Sequence, residues 1–149
     1  PDSTEERHFG GSILVTEEYL FFTIGDRGNR DINPQNVSLD GGKIYRLNLD
    51  GSIPNSNPFY NVDSSKKAIW SYGHRNPQGM VFDPVTLQIW AIEHGPRGGD
   101  EINKIIFKSL GAWIVLELKE GWRTWFPLKK PAPQPDWMAS DQPSVREPA

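Results

Sequence analysis

The sequence predicts an all-β chain assembled from propeller-like blades. Short stretches rich in β-branched and aromatic residues recur between turn residues from Ser12 to about Ile106. No helical period of apolar residues runs through this region. The segment "GMVFDPVTLQIWAIEHG" also repeats the logic of "GGSILVTEEYLFFTIGDRG": strand, acidic or Asp-Pro turn, aromatic strand, glycine. Short strands alone admit a sandwich, a barrel or a propeller, and the self-similarity favours the propeller. A blade takes roughly 40–50 residues and a ring about 4–8 blades. The 149 residues therefore hold part of a ring, about two to three blades of four-stranded antiparallel sheet.

The elements follow in order. Ser12 to Thr16 and Tyr19 to Gly25 flank a Glu17-Glu18 break and read as a hairpin. A polar loop, Asp26 to Gly42, leads to "KIYRLNLDG", which alternates Ile44, Arg46 and Asn48 against Tyr45, Leu47 and Leu49 and closes on Asp-Gly. "LNLDGSIPNSNP" reads as a strand end and two turns with a purely structural role. Four further strands are expected at Ala68 to Gly73, Gly79 to Pro84, Gln88 to Gly95 and Asp100 to Phe107. Composition then changes. Trp113, Trp122, Trp125 and Trp137 are four of the six tryptophans, and six of the thirteen prolines also lie in this part. Residues 1–106 are thus expected to be a partial propeller, and 107–149 a divergent Trp/Pro-rich tail, extended and partly disordered from Pro127 on.

Bulk properties narrow the function. A net charge of −3 argues against nucleic acid as a partner. The absence of cysteine excludes disulfides, thiolate metal sites and cysteine nucleophiles. No apolar run of about 18 residues is present, so no membrane-spanning helix is expected. The first residues carry neither a signal-peptide pattern nor an initiator methionine. The chain is therefore expected to be processed or a piece of something longer, and the piece is favoured.

Three motifs carry chemistry. In "HFGG…TIGD", His8 precedes one hairpin strand and Asp26 follows the other, so the hairpin brings them together. A carboxylate on one imidazole nitrogen would leave the other as a base. The same pair also fits a surface turn histidine and a turn-capping aspartate. In "GHRNPQG", Arg75 offers a fork of donors to a carboxylate or quinone-type oxygen, and Pro77 keeps Asn76 extended. A solvated polar turn is the alternative. In "EHGPRGGDEIN", Gly95, Pro96 and Asp100 can aim backbone carbonyls and a carboxylate at one point. That would suit an oxygen-seeking cation such as calcium, or simply form a β-turn with its acids in water.

Taken together, "HFGGSI", "TIGDRG", "GKIYRLNLDGSIPNSNPF", "IWSYGHRNPQGM" and "EHGPRGGDEIN" resemble the soluble pyrroloquinoline-quinone (PQQ)-dependent sugar dehydrogenases. These form the glucose/sorbosone dehydrogenase family, and the aldose sugar dehydrogenase branch is the nearest in pattern. The resemblance covers about residues 7–104. It implies a six-bladed β-propeller with the quinone over the central channel. It implies that His8 is the general base toward the anomeric hydroxyl of an aldose, oriented and charge-balanced by Asp26. Hydride would pass from sugar C1 to the quinone, with an aldonolactone as product. Arg75 would polarise the quinone oxygens and Asn76 would help hold the cofactor. The carbonyls of Gly95 and Pro96 would ligate calcium, with Asp100 near it through water. The implied partners are an aldose and an electron acceptor, either a dye or a respiratory component, and the implied compartment is periplasmic or secreted. Family chains are longer, and their further cofactor-binding lysine and arginines come from later blades. After "DEIN" they continue as "GxNYGWP"-like, where this chain reads "KIIFKSLGAWIVLELKEGW". A frameshift or aberrant end near Lys104 to Lys108 is the expected cause. Two other functions remain open: a non-enzymatic propeller binding module and a calcium-dependent propeller lactonase.

Overall fold

A computed structural model describes residues 5–96 and 99–105. The expectation of a Trp/Pro-rich tail over 107–149 lies outside the described residues. Within them, seven strands form two antiparallel meanders. The first sheet runs β1 (Gly10–Val15), β2 (Tyr19–Ile24), β3 (Lys43–Asn48) and β4 (Ile69–Tyr72), each hydrogen-bonded to the next. The second runs β5 (Pro77–Asp83), β6 (Gln88–Glu93) and β7 (Glu101–Ile105). Every expected strand is present. Two differences stand out: β5 begins at Pro77 rather than Gly79, and the second sheet has three described strands rather than four. A proline at the first residue of a strand costs no interior ladder bond.

The register explains which side chains meet. Phe21 faces Arg46 and Thr23 faces Ile44 across β2 and β3. Phe21 and Ile44 therefore share one face. That face packs against Ile89, Ala91 and Ile105 of the second sheet, with Leu14, Tyr19, Trp70, Met80 and Phe82 around them. The opposite face of the first sheet buries Tyr45, Ile69 and Tyr72 beneath Val37 and Phe59, which come from the connecting loops. Ile44 and Ile69 are completely buried, each worth about 1.5–3 kcal/mol over exposure.

Arg46 lies on the inter-sheet face because strand alternation puts it in phase with Ile44. Its guanidinium carbon sits 4.1 Å from the Trp70 ring centre and 4.5 Å from that of Tyr19. Its Nε donates to Asn57 Oδ1 at 2.7 Å and its Nη2 to Ser56 Oγ at 2.7 Å. The turn-rich stretch after β3 is thus structural, as the sequence indicated.

Lys43 is the more unusual cation. Its side chain is fully buried, and Nζ donates to the carbonyls of Gly41 (2.6 Å), Asn33 (2.7 Å) and Pro34 (3.3 Å). The short 3-10 turn Asn33–Gln35 is tied by this ammonium to the end of the first sheet. Burial pulls the Lys43 pKa down to about 8, with Asp40 opposing the shift. The unfolded chain then holds more protons than the folded one above pH 8, so stability rises with pH. We expect a gain of about 1–2 kcal/mol between pH 8 and 9.5. Above about pH 10 the trend reverses. Burial holds the Tyr45 and Tyr72 hydroxyls protonated in the fold, and Asp40 reinforces the effect at Tyr45. Urea titrations across this range check the rise. A Lys43→Met variant should show a flat profile from pH 8 to 9.5.

Candidate functional site

One end of the two sheets collects the segment before β1, the loop after β2, the link between β4 and β5, and the loop after β6. The hairpin β1–β2 pairs Gly10 with Ile24, so the residues just outside it must lie together. His8 Nδ1 stands 2.7 Å from Asp26 Oδ1. Asp26 is completely buried, and the same oxygen accepts the Gly28 amide at 2.7 Å. A hydrogen bond from Nδ1–H to this carboxylate leaves Nε2 of the same ring as an acceptor. Among the described residues nothing hydrogen-bonds His8 Nε2. Asp26 Oδ2 is buried and likewise has no partner among them. His8 has φ +55°, a left-handed conformation that costs a non-glycine residue energy and is concentrated at functional sites.

The β4–β5 link crosses beside this pair. The Asp26 amide donates to the Arg75 carbonyl at 2.7 Å, and Thr23 Oγ1 donates to the Pro77 carbonyl at 2.8 Å. The Gly10 amide donates to Asn76 Oδ1 at 3.1 Å. Asn76 is buried, and its side-chain oxygen is committed to joining the two sheets. Arg75 Nη1 donates to the His94 carbonyl at 2.6 Å, its one guanidinium hydrogen bond among the described residues. Its other N–H donors remain available to an anion.

The third motif folds back on itself. Asp100 Oδ1 lies 2.8 Å from His94 Nδ1 and accepts the Gly95 amide at 3.0 Å. The Pro96 carbonyl accepts the Gly99 amide at 3.1 Å. Among the described residues no three His, Asp or Glu side chains stand together as metal ligands. A cation at this loop would therefore rely on backbone carbonyls, which keep a second lone pair beyond their amide partner.

Sequence reasoning passed over the group that holds these parts together. Glu93 is buried, as are His74, Ser71 and Asn103. Glu93 Oε1 accepts the Arg75 and Asn76 amides, the latter at 3.1 Å. Glu93 Oε2 meets His74 Nδ1 at 3.1 Å and Asn103 Nδ2 at 3.3 Å. His74 Nε2 meets Ser71 Oγ at 2.9 Å. The available signal was the period of two in β6: Ile89, Ala91 and Glu93 point the same way, and an inward acid demands donors.

Two blade-like meanders with a histidine–carboxylate pair and an arginine at one end define a partial β-propeller with a polar cluster at that end. The profile of the glucose/sorbosone dehydrogenase family matches residues 1–109, and the chain belongs to this family. It is 43% identical over 104 residues to aldose sugar dehydrogenase YliI of Escherichia coli, covering 69% of this chain and 28% of that protein. It is 35% identical over 129 residues to quinoprotein glucose dehydrogenase B of Acinetobacter calcoaceticus, covering 74% of this chain and 26% of that one. The crystal structure of the E. coli soluble aldose sugar dehydrogenase in its apo form superposes with a TM-score of 0.66 at 42% identity, over 69% of this chain and 30% of that chain. The PQQ-bound aldose sugar dehydrogenase of Streptomyces coelicolor gives 0.51 at 35% identity, over 60% and 25%. The chain spans about a third or less of the length of the curated relatives it matches. No described helix is long and apolar enough to cross a membrane.

Proposed function

We propose that this chain carries the base-bearing part of a PQQ-dependent aldose dehydrogenase site, which oxidises the anomeric hydroxyl of an aldose to a lactone. The observation that supports this best is the 2.7 Å contact between His8 Nδ1 and a fully buried Asp26, with Nε2 left unbonded among the described residues. The quinone, when bound, supplies the hydride acceptor. His8 Nε2 takes the hydroxyl proton, and Asp26 holds the ring and balances the charge that it acquires. Arg75 is suited to an anionic, oxygen-rich cofactor, since most of its donors have no partner among the described residues. Asn76 acts from its place between the sheets, holding the start of β1 beside the His8–Asp26 pair.

Calcium belongs to the same proposal. The Gly95 and Pro96 carbonyls are donors of the type that calcium prefers, and Asp100 would act through water or after leaving His94. The electron acceptor is a dye in the assay and a respiratory component in the cell. The reading also carries the periplasmic compartment that the family resemblance implies.

Reconstitution tests this. The purified chain is mixed with calcium, PQQ, an aldose and an electron-accepting dye, and bleaching is followed beside a His8→Ala variant. Quinone-dependent bleaching that falls at least a hundredfold in the variant is the expected result. Lactone hydrolysis with calcium alone would instead support a lactonase. Quinone binding and bleaching both absent would overturn the reading for this chain.

A further inference from the structure

We propose that Glu93 is a positioning residue that sets His8, Asp26 and Arg75 in one frame. The inference rests on the dehydrogenase reading above for its functional consequence, but its geometry stands alone. Glu93 is 3% exposed, and its two oxygens take four donors. Two of these are the consecutive amides of Arg75 and Asn76, which fixes the backbone of that link. The link in turn fixes both halves of the histidine–carboxylate pair. Its Arg75 carbonyl holds the Asp26 amide at 2.7 Å, and its Asn76 Oδ1 holds the Gly10 amide, two residues from His8, at 3.1 Å. The Asn76 carbonyl also accepts the His94 amide at 3.1 Å, so the loop bearing Gly95 and Pro96 starts from the same anchor.

Chemistry explains why a carboxylate stands here. A glutamine in the same place has one acceptor oxygen and one NH2 group. Its oxygen can keep the Arg75 and Asn76 amides only if His74 and Asn103 turn acceptors toward its NH2 group, whereas an alanine leaves all four donors without their acceptor. Removal of both oxygens therefore strips the Arg75 and Asn76 amides that set the link.

The test compares Glu93→Ala with Ile89→Ala, a core variant on β6 whose register partners are Phe82 and Ile105. On the 149-residue chain, NMR follows the Gly10, Arg75 and Asn76 amides and the His8 ring nitrogens. All four signals should move in Glu93→Ala, while those of Gly10 and His8 stay in place in Ile89→Ala. PQQ affinity with calcium, read by fluorescence quenching, should weaken about tenfold or more in Glu93→Ala and stay within about twofold in Ile89→Ala. Unmoved Gly10 and His8 signals, or equal loss of affinity in both variants, would overturn the proposal. If the unmodified chain binds no quinone, the dehydrogenase reading of this chain fails, and the NMR comparison still decides the positioning role. Should Glu93→Ala not fold, Glu93→Asp keeps both oxygens one methylene short, and displaced Gly10 and His8 signals are again the supporting outcome.

Discussion

Asp26→Asn is expected to cost the proposed dehydrogenase reaction about 10²- to 10⁴-fold in kcat. Asp26 Oδ1 accepts from both His8 and the Gly28 amide. An asparagine has two ways to sit. With its oxygen in the Oδ1 position it keeps both bonds but buries an NH2 where Oδ2 has no partner among the described residues. The charge that balances a protonated His8 is then gone. With the amide turned over, NH2 faces two groups that donate, and His8 must accept at Nδ1. The proton then resides on Nε2, and the base is lost. Each orientation disables proton abstraction without changing the size of the side chain. Steady-state turnover in the reconstituted system measures the effect, and long-range nitrogen NMR on His8 reports which orientation is taken. A variant with at least a tenth of the original kcat would show that Asp26 only caps its turn.

Gly25→Ala should destabilise the chain by about 3 kcal/mol and pull His8 from Asp26. A Cβ on residue 25 would collide with the His8 carbonyl oxygen, with the carbonyl carbon 2.6 Å away and the Arg75 carbonyl oxygen at 3.2 Å. All three are backbone atoms in fixed segments, so no flexible side-chain tip can yield. Relief requires moving the segment before β1, whose His8 already sits at φ +55°. Urea unfolding gives the loss, and the His8–Asp26 ring proton resonance reports the separation. A loss below about 0.5 kcal/mol, the range of an ordinary surface change, would show that the three segments do not approach so closely.

Both predictions depend on residues that the sequence alone could pair only in part. Hairpin logic was enough to bring His8 and Asp26 together, because two antiparallel strands joined by a short turn must return to their starting point. Strand positions were legible because β-branched and aromatic runs alternate between turn residues, and the motifs were sufficient for the family. The boundary at Pro77 was not legible, since proline is usually read as a break and here opens a strand. The motifs singled out Arg75, Asn76 and Asp100, but not their engagements with His94, Gly10 and Gly95.

What local sequence determines here is periodic: which residues alternate inward, where turns fall, and which hairpin ends meet. What only the tertiary structure decided is how distant segments satisfy buried charge. Lys43 had no visible partner in sequence, because its acceptors are backbone carbonyls whose positions depend on how the loop folds over it. Glu93 gathers donors from residues 74–76 and from Asn103, which lie on different strands and links. A buried ion is stable only when its partners converge in three dimensions. Convergence across sheets leaves no spacing rule in the chain, whereas alternation within a strand does.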